Sequence, residues 1–236
     1  MINEKGGRAV KPAKRTRLPA AERRAQILTV ARDLFVTQGF EHASMRRIAD
    51  AAGITPTAIY DHFADKEALL TAIAADFFDG LVAAMTVPPD AATDPLGLLR
   101  QLMINYVRYG LAHPNEYRLV FMTSLSRFVP TLGHRGLPCS GVVPAEVAQK
   151  TVKAMHSFGI LQTGIERLVA AGLLRADDPE GFADSVWAMG HGIVSLVITK
   201  GDSNFTPIDR WIDTSIGILM EGMRPRYSTP PPTSSR

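Results

Sequence analysis

The most constraining feature of the chain is the stretch from Ser44 to Lys66, where a helical apolar stripe breaks once and resumes. Met45, Ile48, Ala49 and Ala52 recur at helical spacing, Gly53 interrupts them, and Ile54, Ile59 and Phe63 take the stripe up again. Two short helices joined by a glycine turn in this way form a helix-turn-helix pattern. The second helix carries its own start signal. Thr55 can cap free N–H groups with its hydroxyl, and Pro56 occupies the first helical position, where no N–H is needed. Thr55, Thr57, Ala58, Tyr60, Asp61 and His62 are left on the outer surface of a short helix suited to a major groove.

The same residues resemble the DNA-binding signature of the TetR family of bacterial transcriptional regulators. The resemblance is carried by Arg46-Arg47-Ile48-Ala49, Ala52-Gly53-Ile54, Ala58-Ile59-Tyr60, His62-Phe63 and Lys66-Glu67-Ala68-Leu69-Leu70, within a region from Ala20 to about Leu81. It implies that Thr55, Thr57, Ala58 and Asp61 read base edges while Ser44, Arg46, Tyr60, His62 and Lys66 hold phosphates. Asp61 is a departure, since a carboxylate repels phosphate unless it faces a base donor such as cytosine N4.

Charge supports that assignment. Residues 1–66 hold 12 Lys and Arg against 7 Asp and Glu, whereas residues 67–236 hold 14 against 16. The positive end attracts phosphate and the slightly acidic remainder is kept from the duplex. Residues 1–18 form a basic, apolar-poor arm expected to be disordered, which either tracks the DNA or is simply solvated. The arm is followed by no secretion-signal pattern, and no apolar run is expected to reach the length of a membrane span, the nearest being Ser185 to Thr199 with His191 inside it. A cytoplasmic location is expected. The single cysteine, Cys139, excludes an internal disulfide and a cysteine-based metal cluster.

Along the rest of the chain, helical periodicity predicts an all-α fold of about nine helices. The divisions expected are the arm, a helix-turn-helix unit over 19–65, a helical ligand-binding and dimerisation body over 66–224, and a disordered Pro, Ser and Thr rich tail over 225–236. The first helix spans Ala20 to Gln38, with Ile27, Ala31, Leu34 and Phe35 on one side. A fourth, opened by Asp65, carries Leu69, Leu70, Ile73, Phe77, Leu81 and Met85. Later helices are expected from about Leu96 to His113, around Tyr117 to Leu125, from about Pro144 to Ala171, Pro179 to Lys200 and Pro207 to Gly222, with a loop over Arg127 to Gly141. By resemblance, the fourth helix transmits ligand binding to the reading head.

Aromatic, methionine and isolated polar side chains recur on several of these helices: Tyr106, Tyr117, Phe121, Met122, Met155, Gln162, Glu166, Trp187 and His191. Each is either ordinary core or part of a mostly apolar pocket for a small organic ligand. Trp187, His191 and Gly192, with the earlier His113-Pro114-Asn115-Glu116-Tyr117-Arg118-Leu119, resemble a Trp-His-Gly subgroup of TetR-like carboxy-terminal domains. Small residues in the last two helices, Gly190, Gly192, Ser195, Ser215 and Gly217, suit close packing of helices from two chains as a homodimer, which would match a palindromic operator. No cofactor is expected. The six histidines lack metal-ligand spacing and no glycine-rich phosphate loop follows a strand, so catalysis is not expected. Two readings remain: a ligand-released dimeric regulator, expected to be a repressor, or a DNA-bound adaptor whose body contacts another protein.

Overall fold

A computed structural model describes residues 18–87, 94–122, 145–175, 177–201 and 205–225, and for 145–156 the backbone alone. The basic arm as far as residue 17, the loop over Arg127 to Gly141 with Cys139, and the tail from residue 226 lie outside the described residues. Among those described there are nine helices and no strand: α1 (Ala20–Gln38), α2 (Met45–Ala51), α3 (Pro56–Tyr60), α4 (Lys66–Met85), α5 (Pro95–Ala112), α6 (Pro114–Phe121), α7 (Ala145–Ala170), α8 (Pro179–Lys200) and α9 (Ile208–Met223).

Helix starts follow local chemistry. Ser44 Oγ accepts from Arg47 N–H at 3.2 Å, Thr55 Oγ1 from Ala58 N–H at 3.2 Å, and Asp65 Oδ1 from Ala68 N–H at 2.7 Å, so α2, α3 and α4 are each capped by a side chain. Between α2 and α3 the chain reverses at Gly53, whose φ of +66° is costly for any residue with a Cβ. The turn buries Ile48 and Ile59 completely against Ile27, Ala31 and Phe35 of α1. Five residues of α3 could not hold a helix alone, so packing on α1 and α2 supplies its stability.

The single stripe expected on α4 understates it. Ala72, Ala74, Ala75 and Phe78 are buried as well, because α4 is touched by α1, α5, α6 and α7 on different sides. By length and composition α4 and α8 could each cross a membrane, which differs from the sequence expectation. Isolated acids such as Asp76 and Asp79 interrupt the apolar run without lowering its average enough. In α4 the apolar surface serves the core, 56% of its most apolar 18-residue stretch being buried. In α8 the share is 33%, so an apolar face is left outward.

Polar contacts tie the layers together. Arg32 of α1 reaches Glu116 of α6 at 2.7 Å, Arg118 Nη2 donates to the Ile198 carbonyl of α8 at 2.9 Å, and Arg100 of α5 makes a two-pronged pair with Asp213 of α9. The last pair is exposed and contributes little to stability.

Candidate nucleic-acid interface and internal cavity

On the outer side of α3, Thr57 and Asp61 are exposed and Tyr60 is 57% exposed, large for an aromatic ring. Ala58 and His62 are half-buried beside them. Ser44 and Thr55 use an oxygen lone pair for their helix caps, and each keeps a hydroxyl proton for an outside acceptor. Arg46 is exposed on α2. Lys66 is placed differently from a free phosphate anchor: its Nζ donates to the Phe40 carbonyl at 2.9 Å and stands 4.5 Å from the Phe40 ring centre. One of its three N–H groups therefore pins the loop after α1 to the start of α4.

An open depression of about 850 Å³ runs between the start of α1 and α3, with Arg23, Thr55, Ala58, Asp61 and His62 on its walls. Arg23 is a residue that periodicity does not single out, because it lies on the polar side of α1. Its Nη1 bonds Gln26 Oε1 at 2.6 Å, and Gln26 in turn reaches the Ala52 carbonyl, so the cation is held on the depression beside the turn that leads into α3.

Inside the body, Leu81 and Met85 of α4, Leu102, Met103 and Tyr106 of α5, Phe121 of α6, Ser157, Phe158 and Leu161 of α7 and Trp187 of α8 surround a cavity. Its enclosed room is about 20 Å³, enough for one water, inside a depression with about 430 Å³ of free space including the mouth. Of the residues expected at a ligand site, Tyr106, Phe121 and Trp187 line it. The others do not. Tyr117 is 1% exposed and packed within the aromatic core, and Met122 and His191 sit off the described wall. Gln162 is half-buried away from it and Glu166 faces solvent, because the inward side of α7 is set by Leu161, Ile165 and Leu168. The side chain of Met155 lies outside the described residues. Leu102 and Ser157, which the sequence does not mark, complete the wall.

Behind the cavity runs a buried polar ladder. Tyr106 Oη lies 3.0 Å from Tyr117 Oη, which lies 2.7 Å from His191 Nδ1. The His191 ring is stacked between Trp187 and Tyr117. Burial lowers the His191 pKa from 6.5, which favours the neutral imidazole, and burial pushes Tyr106 up to about 12, with its hydrogen bonds to Tyr117 and Trp187 acting the other way. Trp187 N–H can only donate. One ordering uses every proton: Trp187 to Tyr106, Tyr106 to Tyr117, Tyr117 to His191.

Residues 27–73 match the family model for bacterial regulatory proteins of the tetR family, and residues 99–219 match the tetracyclin repressor-like carboxy-terminal domain. The chain belongs to the TetR family. Among its relatives, the transcriptional activator FasR of Mycolicibacterium smegmatis is 35% identical over 105 residues, 44% of this chain and 48% of FasR, so the match spans about half the relative's length. A tetR-family regulatory protein from Rhodococcus RHA1 shares the fold with a TM-score of 0.67 at 18% identity, over 86% of this chain and 97% of that one. AibR, solved in complex with isovaleryl coenzyme A and operator DNA, gives 0.60 at 21% identity over 84% and 98%. TetR-family proteins are DNA-binding transcriptional regulators rather than enzymes.

A pH dependence follows from the ladder. His191 takes up a proton more readily in the unfolded chain, so its contribution to stability is complete above 6.5 and is lost as pH falls through its lower folded value. The urea midpoint is expected to fall more on acidification in the parent than in His191→Gln, which does not titrate; parallel curves would remove His191 from the ladder.

Proposed function

We propose that this TetR-family chain acts as a homodimeric, sequence-specific repressor that leaves a palindromic operator when a small, largely apolar ligand enters the body. The observation that carries this is a continuous set of contacts from cavity to head. Tyr106 on the cavity wall bonds Tyr117 in α6, and the adjacent Glu116 pairs with Arg32 in α1. Movement of α6 is therefore felt by the helix on which α2 and α3 pack. Ligand selects the conformer with wrongly spaced heads, and operator binding opposes ligand binding by the same factor. The resemblance to AibR, whose structure holds both an acyl-coenzyme A and DNA, favours a regulator with two ligands over an adaptor.

At the DNA, Thr55, Thr57, Ala58 and Asp61 are assigned to base edges, and Ser44, Arg46, Tyr60 and His62 to phosphates. Lys66 is left to contribute through the N–H groups not held by Phe40, and Arg23, which borders the same depression as Asp61, is added as a further cation toward DNA. Thr57→Val is expected to change preference among operators, whereas Tyr60→Phe weakens all DNA alike. Equal loss on every sequence for Thr57→Val would remove it from base reading.

For the dimer, α8 and α9 supply the surface. Leu196 is 42% and Ile218 69% exposed, and a Cβ placed on Gly192 or Gly217 meets nothing, so a second helix can approach there. Gly190, by contrast, faces inward and is withdrawn from the interface. Ile218→Glu is expected to give a monomer by light scattering and to lose most operator affinity. The overall reading is tested by fluorescence anisotropy on DNA flanking the gene against a scrambled duplex at about 150 mM salt. Preference of about a thousandfold supports a specific regulator, and equal binding to both would overturn it.

A further inference from the structure

The cavity wall has an unusual composition for a site that would hold a charged metabolite. Among the described residues four of its ten lining side chains are aromatic, Tyr106, Phe121, Phe158 and Trp187, and two are methionine, Met85 and Met103. None of these ten described residues carries a charge. The wall's hydroxyl groups come from Tyr106 and Ser157, and neither is without a partner, Tyr106 being joined to Tyr117 and Trp187. A carboxylate, phosphate or ammonium moved into such a wall gains no counter-charge and loses its hydration, whereas an aromatic ring finds ring faces and polarisable thioethers.

The size of the cavity also has a local cause. A Cβ on Gly190 would collide with the terminal methyl of Met103 and press on the Tyr106 ring. Glycine at this point on α8 lets α5 lie close and leaves the space that the Met103 methyl occupies. Met85 and Met103 are unbranched, so the room of about 20 Å³ can widen toward the surrounding 430 Å³ by rotation of side chains.

We infer that the cavity selects uncharged aromatic molecules bearing a single hydrogen-bonding group, with Gly190 and Met103 setting its size. This rests on the reading of the cavity as the effector site. Ring-bearing ligands stack on Trp187 and Phe121, and their hydroxyl meets Ser157 and Tyr106. The ten described wall residues offer no counter-charge to the phosphates of an acyl-coenzyme A thioester, the class seen in AibR, so such a ligand would have to keep them outside the mouth.

The test is calorimetric titration of the full-length protein near neutral pH with three probes of one shape: 2-naphthol, 2-naphthoate and 2-naphthylmethylammonium. The neutral probe is expected to bind saturably and each charged one about 100-fold more weakly. Gly190→Ala should push Met103 into the cavity and weaken 2-naphthol at least about tenfold, while Met103→Ala enlarges the room and strengthens it. A urea midpoint for each variant separates loss of the site from loss of the fold. Binding of a charged probe as tight as the neutral one, or indifference to both variants, overturns the inference. If the neutral probe fails while decanoate or butyryl-coenzyme A binds and frees DNA, the ligand class is wrong and the effector reading stands. If no probe binds or frees DNA, both fall together.

Discussion

Tyr117→Ala is expected to lower stability by about 4 kcal/mol, enough to leave much of the protein unfolded at moderate temperature. Tyr117 is among the largest fully buried side chains. Its ring meets Phe77, Phe121, Tyr106 and His191, with centroids between 4.8 and 6.4 Å. Truncation opens a cavity where α4, α5, α6 and α8 meet and removes the hydroxyl that joins Tyr106 to His191. Tyr117→Phe keeps the ring and leaves both partners unsatisfied, so it should cost about 1–3 kcal/mol. Urea midpoints for the two variants separate packing from hydrogen bonding. Equal, small losses would mean that the core around Tyr117 collapses easily and that the ladder contributes nothing.

The second large effect is on coupling rather than on the fold. Arg32→Ala should leave operator recognition by α3 in place yet cut the ligand-dependent loss of affinity by about tenfold. Arg32 is the polar bridge between the head and α6. Burial lowers its pKa, but hydrogen bonds with Asp33 and Glu116 outweigh that and the net shift is upward, which marks the ion pair as favourable. The paired side chains are 28% and 15% exposed, so solvent screens them in part and the expected cost to stability is about 1–2 kcal/mol. Glu116→Gln and the double variant complete a cycle. Coupling lost in both single variants and not lost further in the double one would show that the bridge carries the signal. An unchanged release factor in Arg32→Ala would place the route elsewhere, through the apolar contacts of α1 with α4.

Much of the architecture was present in local patterns. The bounds of α1 and α8 coincide with those expected from apolar spacing, and the starts of α3 and α4 coincide with Thr55-Pro56 and Asp65. Such features rest on interactions within a few residues: a cap, a proline, a glycine at positive φ. The helix-turn-helix surface was legible for the same reason, since a five-residue helix with Ile59 inward leaves only one side to face outward.

By itself, then, the sequence determined that the chain is all-helical, that its basic end carries a helix-turn-helix, and which residues of α3 stand on the outside. Only the tertiary structure decided which aromatic residues line a cavity and which are filler behind it. Tyr106 and Tyr117 read alike as residues, yet one borders the cavity and the other is wrapped on all sides. The Arg32–Glu116 bridge, 84 positions apart in the chain, and the inward turn of Gly190 were also beyond sequence. Helical periodicity assigns a side chain to a face of its own helix. Which neighbour covers that face, and at what distance, is set by several helices packing at once.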